Sequence, residues 1–246
     1  MSDDTRTALV TGAGGSIGEA VAVRLAELGH RVLLLDKNVE KVTELAHRIG
    51  ELAVPLACDL AQVSEIEGVV SSVDRGFGGV DILVNNAGVL SNNKIAETEM
   101  SEWRWVNQIN LDAAFELTKG VLPTMRRKKW GRIVNMSSYA AKSGGLTAGT
   151  AYTVTKSAII GLTFSTAREV AREGITANAI APCYVTSRMV TEQLTEEQRR
   201  AQLADIPVGR FCEPREVAHA VEFLASPLSG FITGEVLDMN GGFHFD

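Results

Sequence analysis

Residues 8–18 read Ala8-Leu9-Val10-Thr11-Gly12-Ala13-Gly14-Gly15-Ser16-Ile17-Gly18. A short apolar strand, Ala8–Thr11, runs into a glycine-rich turn, and a helix follows over Ile17–Leu28 until Gly29 stops it. Glycine lets the backbone of such a turn approach a pyrophosphate closely. The helix behind it offers unpaired N–H groups and the positive end of its dipole. A glycine-rich turn alone is a weak signal, but here a strand precedes it and a helix follows.

The same alternation continues outward. Apolar strands are predicted at Arg31–Leu35, Ala53–Ala57, Val80–Val84, Gly131–Met136, Thr176–Ile180 and Glu235–Met239. Between them lie helical stretches at Val39–Ile49, Val63–Gly76, Met100–Met125, Thr150–Glu173 and Arg215–Leu224. Continuous apolar strands separated by helices indicate a parallel sheet covered on both faces. We therefore expect one α/β domain over residues 1–246, a Rossmann-type doubly wound sheet of about seven strands. Ligands of such sheets bind outside the carboxyl ends of the strands, so the residues just after each strand matter most.

Composition narrows the function. The formal net charge is −6, and no basic face marks a nucleic-acid binder. Cys58, Cys183 and Cys212 are far apart, and His30, His47, His219 and His244 lack ligand spacing, so no metal site or disulfide framework is expected. No stretch has signal-peptide character or the roughly 20 apolar residues of a membrane span. A cytoplasmic protein without membrane contact is the expectation.

Asp36 ends the second strand, 18 residues beyond Gly18. A carboxylate there can hold both ribose hydroxyls of an adenosine and repels a 2′-phosphate, which favours NAD over NADP; Lys37 beside it softens the repulsion. Cys58-Asp59-Leu60 can flank the adenine after the third strand. Asn85-Asn86-Ala87-Gly88, after the fourth, is either a tight turn or a lining of the cofactor groove.

Tyr152 and Lys156 lie four apart on a predicted helix and share one face. A free tyrosine, with pKa about 10, is a poor base at neutral pH. An ammonium at about 5 Å, with effective dielectric about 20, contributes roughly 3 kcal/mol, or about two pKa units of lowering. Such a tyrosine can take or give a proton while a hydride moves to or from a nicotinamide. Ser138 follows the Gly131–Met136 strand and can hydrogen-bond a substrate oxygen; Asn110 can hold a water near the lysine.

Taken together these residues resemble the short-chain dehydrogenase/reductase family. The likeness runs from TALVTGAGGSIG through DILVNNAG, GRIVNMSS, AYTVTKSAIIGLT and NAIAPCYV to ITGEVLDMNGG. It implies a catalytic set of Asn110, Ser138, Tyr152 and Lys156. It implies cofactor contacts, shared with Tyr152 and Lys156, at Gly12, Gly15, Ser16, Ile17, Gly18, Asp36, Asp59, Leu60, Asn86, Ala87 and Gly88. Pro182, Cys183, Val185 and Ser187 join them from the later segment. It also implies a homotetramer or homodimer built through the long helices and the C-terminal strand. Ser16 and Cys183 stand where the family has glycine, and Ser187 where it has threonine.

Leu90–Ile95, Tyr139–Ala151 and a helical lid over Ser187–Ile206 are expected to shape substrate choice. Lys142, Asn92, Asn93 and Arg188 lean toward a small polar hydroxy or keto compound: a polyol, sugar or hydroxy acid. An NAD-dependent secondary-alcohol dehydrogenase is thus the leading expectation. The alternatives are an NADPH-using relative of 3-oxoacyl-(acyl carrier protein) reductases and a non-catalytic NAD-binding module. For the former, Arg126–Lys129 offers the one basic run an acidic carrier protein would favour.

Overall fold

The computed structural model describes residues 5–186 and 195–245. Seven strands form one parallel sheet: β1 (Thr7–Thr11), β2 (Arg31–Asp36), β3 (Ala53–Ala57), β4 (Ile82–Asn85), β5 (Gly131–Met136), β6 (Ile175–Pro182) and β7 (Val236–Met239). Their spatial order is β3-β2-β1-β4-β5-β6-β7, so the chain reverses direction across the sheet between β1 and β4. All seven strands run the same way, which gathers Thr11, Asp36, Asn85, Met136 and Pro182 at one edge.

Helices cover both faces. On one side α1 (Ser16–Glu27), α2 (Val39–Ile49) and α9 (Pro214–Ala225) pack Val21, Leu25, Leu45, Val217 and Leu224 against Val10, Leu34 and Val134. On the other, α3 (Val63–Phe77), α5 (Ala113–Lys128) and α7 (Thr150–Val170) bury Ile66, Leu117, Met125 and Val170 against Leu9, Leu33 and Ile133. Strand neighbours thus alternate between two cores, which is why β1, β4, β5 and β6 are buried along their length.

Three boundaries depart from the apolar pattern. β4 begins at Ile82, and the buried Asp81 before it uses its carboxylate on the Thr7 N–H at 2.8 Å and on Lys128 at 2.7 Å. The Met100–Met125 stretch is divided: α4 (Met100–Asn107) passes through a π-turn at Gln108–Asp112 into α5. β6 outruns its prediction at both ends and is buried throughout. Further short elements are α6 (Ala140–Ser143) and α8 (Glu196–Ala204), the latter within the proposed lid. Residues 187–194 of that lid, with Ser187 and Arg188, lie outside the described residues. Among the described residues no helix is long and apolar enough to cross a membrane.

Candidate active site

The glycine turn is closed from within. Gly12 adopts φ +65°, and its carbonyl accepts the Gly15 N–H at 3.0 Å. Gly18 packs so closely under the turn that a Cβ there would meet Gly12 O at 2.2 Å. Gly15 caps α1 with no side-chain hydrogen bond, so the first N–H groups of the helix are left to another acceptor. This backbone cradle fits the pyrophosphate of a dinucleotide.

Asn86, Ala87 and Gly88 do more than turn the chain. Thr11 Oγ1 accepts the N–H groups of Asn86 at 3.0 Å and Ala87 at 2.9 Å. The Asn86 amide donates to Thr11 O at 2.9 Å and to Gly12 O at 3.3 Å. Its side chain therefore braces the glycine turn from the neighbouring strand. A Cβ on Gly88 would lie 3.4 Å from both Asn110 Oδ1 and Lys156 Nζ, which brings this turn to the catalytic candidates.

Asp36 is already engaged. Its Oδ2 accepts the Gly14 N–H at 3.0 Å and its Oδ1 the Asn38 N–H at 2.9 Å. The Lys41 side chain shares that corner: a Cβ on Gly14 would sit 3.3 Å from Lys41 Cβ. After β3, Asp59 accepts the Ala61 N–H at 3.0 Å, while Cys58 and Leu60 are buried beneath.

Four catalytic candidates converge at the sheet edge. Ser138 follows β5 and its Oγ accepts the Ala140 N–H at 3.1 Å. Its hydroxyl also hydrogen-bonds Tyr152. Lys156, one turn further on α7, is buried, donates to Met136 O at 2.7 Å, and lies 5.7 Å from the Tyr152 ring centroid. Asn110 sits in the π-turn, where its Oδ1 accepts the Val89 N–H at 2.8 Å and its Nδ2 donates to Val89 O at 3.0 Å and Thr155 Oγ1 at 3.2 Å. The π-turn widens the helix so that this amide can reach across to the chain leaving β4.

The electrostatics differ from the expected lowering of Tyr152 by Lys156. Burial pushes the Tyr152 hydroxyl above its ordinary value, and the Ser138 hydrogen bond pulls it partly back. Burial also takes Lys156 down to about 8. Raised in this way by burial, the phenol keeps its proton at neutral pH, while the ammonium is tied to a carbonyl and set against the ring. A tyrosine in that state is a proton donor.

Two positioning contacts come from residues inside the quoted motifs that had no assigned role. Ser137 Oγ donates to Lys156 O at 2.8 Å, fixing α7 against β5, and Thr155 Oγ1, which accepts the Asn110 amide of the π-turn, donates to Tyr152 O at 2.9 Å. Each adjoins a candidate residue. Further in, Asn85 Nδ2 donates to Asn135 Oδ1 at 2.8 Å, and Asn135 Nδ2 to Thr163 Oγ1 at 2.9 Å, joining β4, β5 and α7.

Beyond β6, Pro182 O accepts the Tyr139 N–H at 3.0 Å, and the Cys183 N–H donates to Met239 O at 2.9 Å. The Cys183 thiol is buried and pushed up to about 12, so it is no nucleophile. Val185 forms a parallel bridge with Cys212. Lys142 is not free to meet substrate: it pairs with Asp238 at 2.5 Å. Asn93 is likewise held by Glu102 at 2.7 Å. The Arg126–Lys129 run lies before β5, at the sheet edge opposite the site, with Arg126 paired to Glu169 and Glu173 and Lys128 to Asp81.

A family model described as enoyl-(acyl carrier protein) reductase matches residues 12–244. The 3-oxoacyl-(acyl-carrier-protein) reductase FabG of Vibrio cholerae is 41% identical over 245 residues, covering 99% of each chain. Proteins of the same name from Vibrio harveyi and Escherichia coli are 39% and 37% identical, again over 99% of both chains. These full-length relatives overturn the leading expectation of a polyol, sugar or hydroxy-acid dehydrogenase and favour the ketoacyl alternative. The NAD preference read from Asp36 falls with it. Its physical basis is also weaker than the sequence implies, since both Asp36 oxygens already accept backbone N–H groups and Lys37 and Lys41 flank them.

Proposed function

The chain belongs to the short-chain dehydrogenase/reductase family, oxidoreductases that act at the CH–OH/carbonyl couple, and we propose that it reduces 3-oxoacyl thioesters on an acyl carrier protein, using NADPH. The observation that carries the reading is geometric: Ser138, Tyr152 and Lys156 meet at the carboxyl edge of the sheet, with Tyr152 hydrogen-bonded to Ser138 and able to give its proton to a carbonyl oxygen. The names of the relatives support the substrate class.

The roles follow from chemistry. Ser138 donates a hydrogen bond to the 3-oxo oxygen and holds the ketone against Tyr152. NADPH, when bound, supplies the hydride that converts this carbonyl carbon to a secondary alcohol. Tyr152 Oη gives its proton to the oxygen as negative charge develops there. The phenolate left behind is stabilised by the Lys156 ammonium, whose attraction strengthens in this buried, low-dielectric site. Asn110 and Thr155 act as positioning residues that hold the π-turn to α7. The Gly12–Gly18 cradle takes the pyrophosphate. Lys37 and Lys41, exposed beside Asp36, take the 2′-phosphate.

Exposed apolar side chains support a homotetramer. One set, Trp105, Phe115 and Phe164, lies on α4, α5 and α7; another, Leu228, Phe231 and Phe245, lies around β7. Two separate faces each joined to a second copy close a four-membered assembly.

The test is turnover. The purified chain with acetoacetyl-(acyl carrier protein) and NADPH should show loss of NADPH absorbance, and Tyr152→Phe should lower kcat by about 10²- to 10⁴-fold. No turnover with any 3-oxoacyl thioester, or full turnover by the Phe variant, overturns the proposal.

A further inference from the structure

A row of aromatic rings starts one residue after Ser138. Tyr139 directly follows Ser138 in the chain. Its ring meets Phe243 edge-on, with centroids 5.1 Å apart and planes at 83°. Phe243 in turn meets Tyr184 at 6.3 Å and 81°, and Tyr184 meets Phe211 at 5.9 Å. All four rings are partly buried, so each still offers surface to a ligand. The Tyr184 hydroxyl bonds Thr147, which ties the row to the loop before α7.

Two features show that this row is held in place. Tyr184 sits at φ +45°, a left-handed conformation that costs a non-glycine residue about 1–2 kcal/mol. It is kept there by Cys212 N–H donating to Tyr184 O at 3.1 Å and Thr186 N–H donating to Cys212 O at 2.8 Å. Strain of this kind, maintained by its surroundings, marks functional positions. The chain end is equally constrained. Asn240 accepts the Gly242 N–H at its side chain (3.0 Å) and the Phe243 N–H at its carbonyl (3.1 Å), and its Nδ2 donates to His244 O at 2.8 Å. Gly241 O accepts the Val208 N–H at 3.1 Å, and a Cβ at Gly241 would meet Ile206 Cγ2 at 2.8 Å. The turn carrying Phe243 is therefore buttressed by the segment that follows α8.

We infer that Phe243, supported by Tyr139 and Tyr184, walls the subsite for the acyl chain and sets preference for chain length. The assignment rests on the ketoacyl reading above. A ketone held by Ser138 and Tyr152 has Tyr139 as its first aromatic neighbour along the chain. A four-carbon 3-oxoacyl group has one carbon beyond the ketone and ends near Tyr139. An eight-carbon group has five, which in this assignment run along the row toward Phe243. Edge-to-face rings present apolar surface to a methylene chain, which suits an alkyl tail, and the His244 ring also packs on Tyr139 at 5.8 Å. Lys142, the nearby cation, is already paired with Asp238.

The experiment compares kcat/KM for 3-oxooctanoyl and acetoacetyl thioesters in the parent, Phe243→Ala and Phe243→Leu. Loss of the ring should lower the eight-carbon to four-carbon ratio about tenfold in the alanine variant, through KM for the long substrate, with a smaller fall for leucine. KM for NADPH should not move. An unchanged ratio in both variants, or equal losses for the two substrates, overturns the assignment. If the alanine variant does not fold, the leucine variant decides by the same ratio. A parent that reduces neither thioester defeats the ketoacyl reading, and this one with it.

Discussion

Replacing Lys156 with methionine removes a buried ammonium and keeps most of the side-chain volume. In the folded chain this group titrates at about 8, below its ordinary 10.5, because burial disfavours its charged form. The sign follows from proton counting. Between those two values the unfolded chain binds more protons than the folded one, so stability rises with pH. Below pH 8 the penalty for a buried charge is fully present; above it, deprotonation relieves it. From pH 7 to 9.5 a shift of this size adds about 2 kcal/mol to the stability of the parent. The variant lacks that increment. Urea unfolding of both proteins at pH 7 and 9.5, at one protein concentration, reads it as a difference of differences. The stability of the parent relative to Lys156→Met should increase by about 2 kcal/mol over this interval. An unchanged difference refutes a charged, desolvated Lys156. Turnover of the same variant should fall, since the phenolate left on Tyr152 loses its counter-charge.

Other perturbations address the cradle, the inner network and the cofactor. Gly18→Ala places a methyl 2.2 Å from Gly12 O and cannot be accommodated by a side-chain rotation; thermal unfolding should show about 1–3 kcal/mol of destabilisation, and calorimetric titration a weakened affinity for NADPH. Asn135→Ala takes one partner from the Asn85 amide, which keeps Thr118 Oγ1, and one from the Thr163 hydroxyl, which keeps Ile159 O, and should lower unfolding free energy by about 1 kcal/mol in urea. The double change Lys37→Gln, Lys41→Gln removes two positive charges beside Asp36; kcat/KM with NADPH should fall about tenfold, with less change for NADH. Equal losses for the two cofactors would show that these lysines do not read the 2′-phosphate.

Much of the site was legible because its parts are local. The Ala8–Gly18 stretch announces strand, glycine turn and helix in eleven consecutive residues, and the structure places Gly12, Gly15 and Gly18 in one closed turn. Tyr152 and Lys156 share a helix face because four residues make about one turn. Ser138 was found by a topological rule, that function gathers where parallel strands end. Each of these inferences needs only backbone periodicity or chain direction.

The charge pairings around the site and the working state of Tyr152 depended on contacts between distant segments. Lys142 reads as a free cation until Asp238, 96 residues away, is brought against it. Asp36 reads as a free ribose ligand until the Gly14 and Asn38 amides each take up one of its oxygens in part. Phe243 directly follows the ITGEVLDMNGG motif but carries no signal of its own, and only the fold sets it beside Tyr139. Lys156 seemed near enough in sequence to acidify Tyr152, yet burial raises the phenol and the Met136 carbonyl holds the ammonium. Sequence by itself determined the sheet and the glycine turn, and placed Tyr152, Lys156 and Ser138 as candidates, since period and strand order are properties of the chain. Tertiary structure alone decided protonation, charge pairing and the row of rings at Phe243, because desolvation and partnership exist only once the chain has folded.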